Sequence, residues 1–134
     1  MKNKLFYPAV FEDAEEGGYT IFFPDLAGAL TQAETLEEGY AMATEVLGMT
    51  LVYLNDEGKN IPEPSKPKDI KLGDNQSVVV VQFDLSEYRK KYESETVRVN
   101  CTMPKWLKTL GTDAGVNFSQ VLQESLMIKL DVSR

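Results

Sequence analysis

The last forty residues constrain this chain more than any other stretch. From Val97 the residues alternate, with Val97, Val99, Cys101 and Met103 on one side and Arg98, Asn100 and Thr102 on the other. Period two is the signature of a strand with one apolar face. Pro104 cannot continue a ladder but suits a first helical position. Trp106, Leu107, Leu110 and Ala114 then follow at helical spacing, and Gly115 is a helix stop. Asn117 is a good N-cap for a second helix, whose apolar face carries Phe118, Val121, Leu122, Ser125 and Leu126. One strand and two short helices cannot bury their own apolar faces, so the unit must pair with a second copy. Antiparallel pairing of the strands gives a ribbon that a DNA major groove can accept.

This layout, with the motif Gly115-Val-Asn-Phe-Ser-Gln, resembles the ribbon-helix-helix family of DNA-binding domains over about residues 95–131. In that family the outward strand residues read base edges and the start of the second helix holds a phosphate. Carried onto this chain, the resemblance implies Arg98, Asn100 and Thr102 as base readers. It implies a phosphate site at Asn117, Phe118 and Ser119, through backbone N–H groups. The residue types are apt: Arg pairs with guanine, Asn with adenine, and Thr can touch a thymine methyl. The competing reading is the solvated face of an edge strand.

Charge divides the chain. Residues 1–94 carry 17 Asp/Glu against 9 Lys/Arg, a balance of −8, while residues 95–134 carry 4 against 5, a balance of +1. An acidic module joined to a mildly basic one points to two different partners, the acidic one suited to a basic protein. The bland alternative is an acidic surface that only aids solubility. The chain has no histidine, which removes Ser-His and Cys-His nucleophile pairs and histidine metal ligands. Cys101 is alone and falls on the apolar side of its strand, so it reads as a small core residue. No apolar run approaches a membrane span and the N-terminus lacks a signal-peptide apolar region, so a cytoplasmic location is expected.

In the acidic part, Leu5 to Phe11 and Tyr19 to Phe23 read as strands of a hairpin around the turn Glu12-Asp-Ala-Glu-Glu-Gly-Gly. Ala29 to Ala33 is a short third strand. Thr35 and Glu38 have the form of a capping box, opening a helix to about Asn55 with Leu36, Tyr40, Ala43, Leu47, Thr50, Leu51 and Leu54 on one face. Gly58 to Ser77 is a proline-rich loop. The continuous run Val78 to Val81 predicts a strand buried on both faces. The order β-β-β-α-β gives an α+β domain with the helix on one face. Leu85 to Glu95 is a short helix or a linker and holds the boundary. The expected organisation is therefore 1–84, a linker over 85–94, and 95–134.

Tyr7-Pro-Ala-Val-Phe, Gly17-Gly-Tyr-Thr-Ile-Phe-Phe-Pro-Asp-Leu-Ala-Gly and Thr31-Gln-Ala-Glu-Thr-Leu-Glu-Glu-Gly, in this order, resemble the HicB antitoxins over about residues 4–65. Ala29 departs from many members. The family joins such a domain, similar to a truncated RNase H fold, to a C-terminal DNA-binding module. The resemblance implies an antitoxin that silences a HicA-like toxin, a small basic ribonuclease, and represses its own operon. The partners would be that toxin, operator DNA and a second copy, as a dimer or a tetramer, with no membrane and no cofactor. The toxin-facing residues expected are acids beside apolar anchors: Glu12, Asp13, Glu15, Glu16 and Asp25 near Tyr19 and Phe23.

The residues also bear on two other readings. A metal-dependent nuclease needs convergent carboxylates, some on central strands, and the strands Leu5–Phe11, Tyr19–Phe23 and Val78–Phe83 contain none. A repressor with a small-molecule sensor could line a pocket with Tyr19, Phe22, Phe23 and Tyr53, although aromatics in a small α+β domain are usually core.

Overall fold

The computed structural model describes residues 1–134. It divides into two compact units, Met1–Glu93 and Ser94–Arg134. The charge balances are the same for this division, −8 and +1.

Unit 1 is a four-stranded antiparallel sheet with a long helix on one face. Its elements are β1 (Lys4–Asp13), β2 (Tyr19–Phe22), β3 (Leu30–Ala33), α1 (Leu36–Asp56), the 3₁₀ turn Pro67–Asp69, β4 (Gln76–Asp84) and α2 (Leu85–Tyr92). The strand order is β3-β2-β1-β4. The coarse α+β layout therefore follows the sequence reading. The place of the buried strand does not. Tyr7 to Phe11 of β1 are all buried, because β1 lies between β2 and β4. β4 is an edge strand, and its Val80 is 44% exposed. The valine run expected to be buried on both faces is buried on one at most. A run of valines reports β propensity, but its rank in the sheet depends on which strands flank it.

Pro8 sits inside β1, where a missing N–H would ordinarily break a ladder. Here β1 pairs with β4 from Lys4 to Glu12 but with β2 only from Val10 to Asp13. On the β2 side Pro8 therefore lies past the end of the ladder.

α1 starts at Thr35, whose hydroxyl accepts the Glu38 N–H at 3.1 Å. It buries Gly39, Ala43, Leu47, Gly48 and Leu51. These pack on Tyr7, Ala9, Phe11, Ile21, Val81 and Phe83, the core of the unit. Leu36 and Tyr40, expected on the same face, are exposed: the buried line of the helix runs through Gly39, Ala43, Leu47 and Leu51, with Leu36 at its first residue and Tyr40 one residue round from Gly39. Gly39 permits the close approach: a Cβ there would meet the Phe11 ring at 2.9 Å and Ile21 Cδ1 at 3.0 Å.

Residues 85–92, read as either a short helix or a linker, form α2. Asp84 caps it by accepting the Glu87 N–H at 3.1 Å. Tyr88 then packs beside Phe83, with ring centroids 6.0 Å apart, and lies over Gly48. The linker expected over 85–94 is thus ordered and belongs mostly to unit 1, because Leu85 and Tyr88 are apolar enough to dock on its core.

Unit 2 holds α3 (Lys105–Asp113) and α4 (Phe118–Leu130). Pro104 stands at the N-cap of α3, one place earlier than expected, and its carbonyl accepts from Lys108 N at 3.2 Å. Gly115, at φ +72°, ends α3 in a Schellman turn: Gly115 N donates to Thr112 O and Val116 N to Gly111 O. Asn117 then caps α4 by accepting from Gln120 N. The Phe118 ring rests on Gly111, where a Cβ would stand 2.6 Å away. Residues 96–104 form no strand in the single chain, since no second strand pairs with them. No residue of unit 2 is buried. Cys101, expected in a core, is exposed for the same reason.

Candidate functional site

Two regions hold the residues singled out by sequence. The first is the β1–β2 hairpin of unit 1. Gly17 and Gly18 turn the chain at φ +92° and +79°. Gly18 admits no side chain, since a Cβ would stand 2.5 Å from the Ala33 carbonyl oxygen. Tyr19 pairs with Ala33 across the β2–β3 ladder, which brings the hairpin tip beside the start of α1. The result is an open cleft of about 850 Å³ lined by Glu15, Glu16, Tyr19, Glu34 and Glu38. The two ion pairs of the chain, Lys90–Glu87 within α2 and Arg89–Glu93 at its C-cap, both lie away from the cleft lining. The carboxylates of the cleft have no cation of their own.

The structure sorts the expected toxin-facing residues. Glu15 and Glu16 are exposed in the cleft, and Tyr19 lines it half-buried, edge-on to Phe11 at 5.8 Å between centroids. Glu12 points to the other face of the sheet, and its carboxylate accepts from Gln76 Nε2 at 2.9 Å. Asp13 is exposed at the end of β1. Two of the set are corrected. Phe23 is 3% exposed and belongs to the core, so it cannot anchor a partner. Asp25 is engaged within the chain, accepting from Ser65 N at 2.9 Å and from Ser65 Oγ at 2.5 Å. It fastens the proline-rich loop instead of facing outward. Glu34 and Glu38 were missed, although the short β3 followed at once by Thr35 places them beside the hairpin.

The same loop is held at Tyr7, whose hydroxyl donates to the Pro62 carbonyl at 2.5 Å. Burial, with the nearby carboxylates of Asp25 and Glu63, holds the Tyr7 hydroxyl above its usual pKa. Of the aromatics that a sensor reading would place around a pocket, Tyr53 is exposed under Lys59 Nζ, 5.1 Å from the ring centroid.

The second region is in unit 2. Arg98, Asn100 and Thr102 are all exposed on the irregular segment before α3. Asn117 uses its side chain as the α4 cap, and Phe118 and Ser119 form the first turn. Their amides sit where a helix leaves N–H groups without an intrahelical acceptor. Ser119 Oγ accepts from Gln123 Nε2 at 3.1 Å. The apolar side chains around them are open to solvent: Trp106 is 64% and Leu110 59% exposed. No group of three or more His, Cys, Asp or Glu is arranged to hold a metal. No helix is long and apolar enough to cross a membrane.

Comparison with known proteins agrees on one family. The sequence pattern of the HicB-like antitoxins of bacterial toxin–antitoxin systems matches residues 7–124. Antitoxin HicB 1 of Photorhabdus laumondii is 41% identical over 58 residues, 43% of this chain and 37% of that protein. Antitoxin HicB of Escherichia coli K12 is 37% identical over 59 residues, 44% of this chain and 43% of that protein. These matches span less than half the length of either relative. Among solved structures, a chain of a toxin–antitoxin complex from Streptococcus pneumoniae is 30% identical, with a TM-score of 0.60 over 94% of this chain and 99% of that one. The crystal structure of antitoxin HicB3 is 28% identical, with a TM-score of 0.51 over 97% of this chain and 100% of that one. The match over most of the sequence, on an acidic sheet-and-helix unit followed by two capped helices, assigns the chain to a family of antitoxins and not of enzymes: it belongs to the HicB-like antitoxins of bacterial toxin–antitoxin systems.

Proposed function

We propose that this chain neutralises a HicA-like toxin, a small basic ribonuclease, through unit 1 and represses its own operon through unit 2. One observation carries the division of labour. The unit with a complete core is the acidic one, and the mildly basic unit has no core at all. An acidic, self-sufficient domain suits a basic protein partner. A unit with every apolar side chain open suits pairing with its own copy.

In this reading unit 2 is a ribbon-helix-helix module. Residues 97–103 of two copies form the ribbon, covering Val97, Val99, Cys101 and Met103. Arg98, Asn100 and Thr102 face the base edges, and the first turn of α4 at Asn117, Phe118 and Ser119 receives a phosphate. The caps at Gly115 and Asn117 and the chain of α3 and α4 support it. Toxin contact falls to Glu12, Asp13, Glu15, Glu16 and Tyr19, now joined by Glu34 and Glu38. Neutralisation is steric and electrostatic, with no chemistry contributed by this chain, and takes place in the cytoplasm.

The test is a gel shift on the DNA upstream of the gene, together with co-expression with the toxin encoded beside it. The wild-type chain should bind that DNA and rescue growth. Arg98→Ala should lose specific DNA binding, since a bidentate base contact is worth about 1–3 kcal/mol, and should still rescue. Loss of rescue with Arg98→Ala would undo the division of labour.

A further inference from the structure

The sheet of unit 1 has a second face that α1 does not cover. Side chains alternate along each strand, so Phe6, Pro8 and Val10 of β1 point away from the core formed by Tyr7, Ala9 and Phe11. The ladder registers place Leu30, Phe22, Val10 and Val78 in one cross-strand row, and Pro8 beside Val80 in the next. Leu30 is 62% exposed, Phe6 53% and Val80 44%, and they surround a filled centre in which Val10, 1% exposed, and Pro8 are buried. The row beyond them is polar: Gln32, Thr20, Glu12 and Gln76. An apolar patch with a polar border is the form of a protein interaction site.

Charge selects the occupant. The patch ends at Glu12, and the acidic hairpin with Asp13, Glu15 and Glu16 continues from that edge. At the far end Lys4 stands opposite Asp84, which lies near enough to draw its charge. A second copy would bring its own −8 balance against this one. Like charges across an interface are unfavourable, whereas a basic partner gains on approach.

The geometry points to the exposed apolar side chains of this sheet face as the apolar half of the toxin-binding surface, taking a basic protein that sets an apolar patch on Leu30, Phe22 and Val80 and its Lys/Arg rim on the hairpin acids. The assignment rests on the antitoxin reading above. It supplies the anchor that Phe23, being buried, cannot. It leaves the acidic cleft as the rim that steers encounter.

The test is calorimetric titration of the full chain with the toxin encoded beside it, inactivated by substitution. Leu30→Gln with Val80→Gln removes apolar surface from the face without adding charge. Met49→Gln does the same on the solvent side of α1, where Met49 is 56% exposed. All are exposed, so thermal melts should match wild type. Wild type and Met49→Gln should bind alike, and the double variant should bind roughly tenfold to a hundredfold more weakly. Equal binding by the double variant would overturn the surface but keep the antitoxin reading. No binding by wild type would overturn both. A change in the sedimenting mass of the double variant alone would make this face a contact between copies, which also overturns the proposal.

Discussion

Asp25 holds Ser65 by two bonds, its Oδ2 accepting the backbone N–H and its Oδ1 the hydroxyl, across forty residues of sequence. With Tyr7 and Pro62 this pins the proline-rich loop to the sheet. Asp25→Ala leaves two part-buried donors without their acceptor, which costs about 1–3 kcal/mol. Urea unfolding should show that loss, and limited proteolysis should cut within residues 57–66 first. Asp25→Asn, which can still accept one bond, should recover part of it.

Gly39 and Gly48 both lie on the buried side of α1, yet alanine should affect them differently. In a helix the change from glycine ordinarily gains up to about 1 kcal/mol. At Gly39 the new methyl meets Phe11 and Ile21, which are 1% and 0% exposed and have nowhere to move. Overpacking of that kind costs about 1–3 kcal/mol, so Gly39→Ala should lower the melting temperature. At Gly48 the neighbour is the ring of Tyr88 on the half-buried α2. Gly48→Ala should displace α2 and raise the exposure of Tyr88, seen by tyrosine fluorescence, with a smaller loss of stability.

Asp84 links pH to the same helix. Burial alone would raise its pKa, but hydrogen bonds from Glu87 N–H, the Ser86 hydroxyl and Ser86 N–H, with Lys4 nearby, together hold it below the usual carboxylate value of 3.8. A depressed folded-state pKa means that the cap's contribution is present above the unfolded value and lost as pH falls through the folded one. Melts across the acid range should show this loss in wild type. Asp84→Asn, which has no charge to titrate, should show less acid sensitivity from this site.

Leu122 separates a single chain from a pair. It is 37% exposed in one copy, so Leu122→Asp in a chain that stays single should be nearly neutral. In a paired unit it buries a charge, which is strongly unfavourable. Sedimentation of the variant should give a monomer where wild type gives a dimer or larger, with loss of operator binding.

Local signals carried most of the fold. Thr35, Gly115 and Asn117 each cap or end the helix that their chemistry implies, because the bonds involved span only three to five residues. What depended on distant residues was harder to read. Asp25 looks like an acid free in a turn until Ser65 returns to meet it. Phe23 looks like an anchor until Ala29, whose carbonyl accepts the Phe23 N–H, folds the turn over it. The valine run of β4 resembles a central strand, and only the ladder with β1 makes it an edge. The open sheet face was invisible for the same reason, since Leu30, Phe22 and Val80 become neighbours only through register.

Unit 2, without one buried residue, gives the chain two kinds of thermodynamics. Unit 1 carries its core with it, so its unfolding should not depend on how much protein is present. A half that completes its core only by meeting another copy follows mass action, and its midpoint should rise with concentration. Under the proposed division of labour, dilution would then melt unit 2, the half assigned to gene regulation, while unit 1, the half assigned to toxin binding, stays folded. A cell holding few molecules of this protein would lose repression before it lost protection, and renewed transcription would restore the supply.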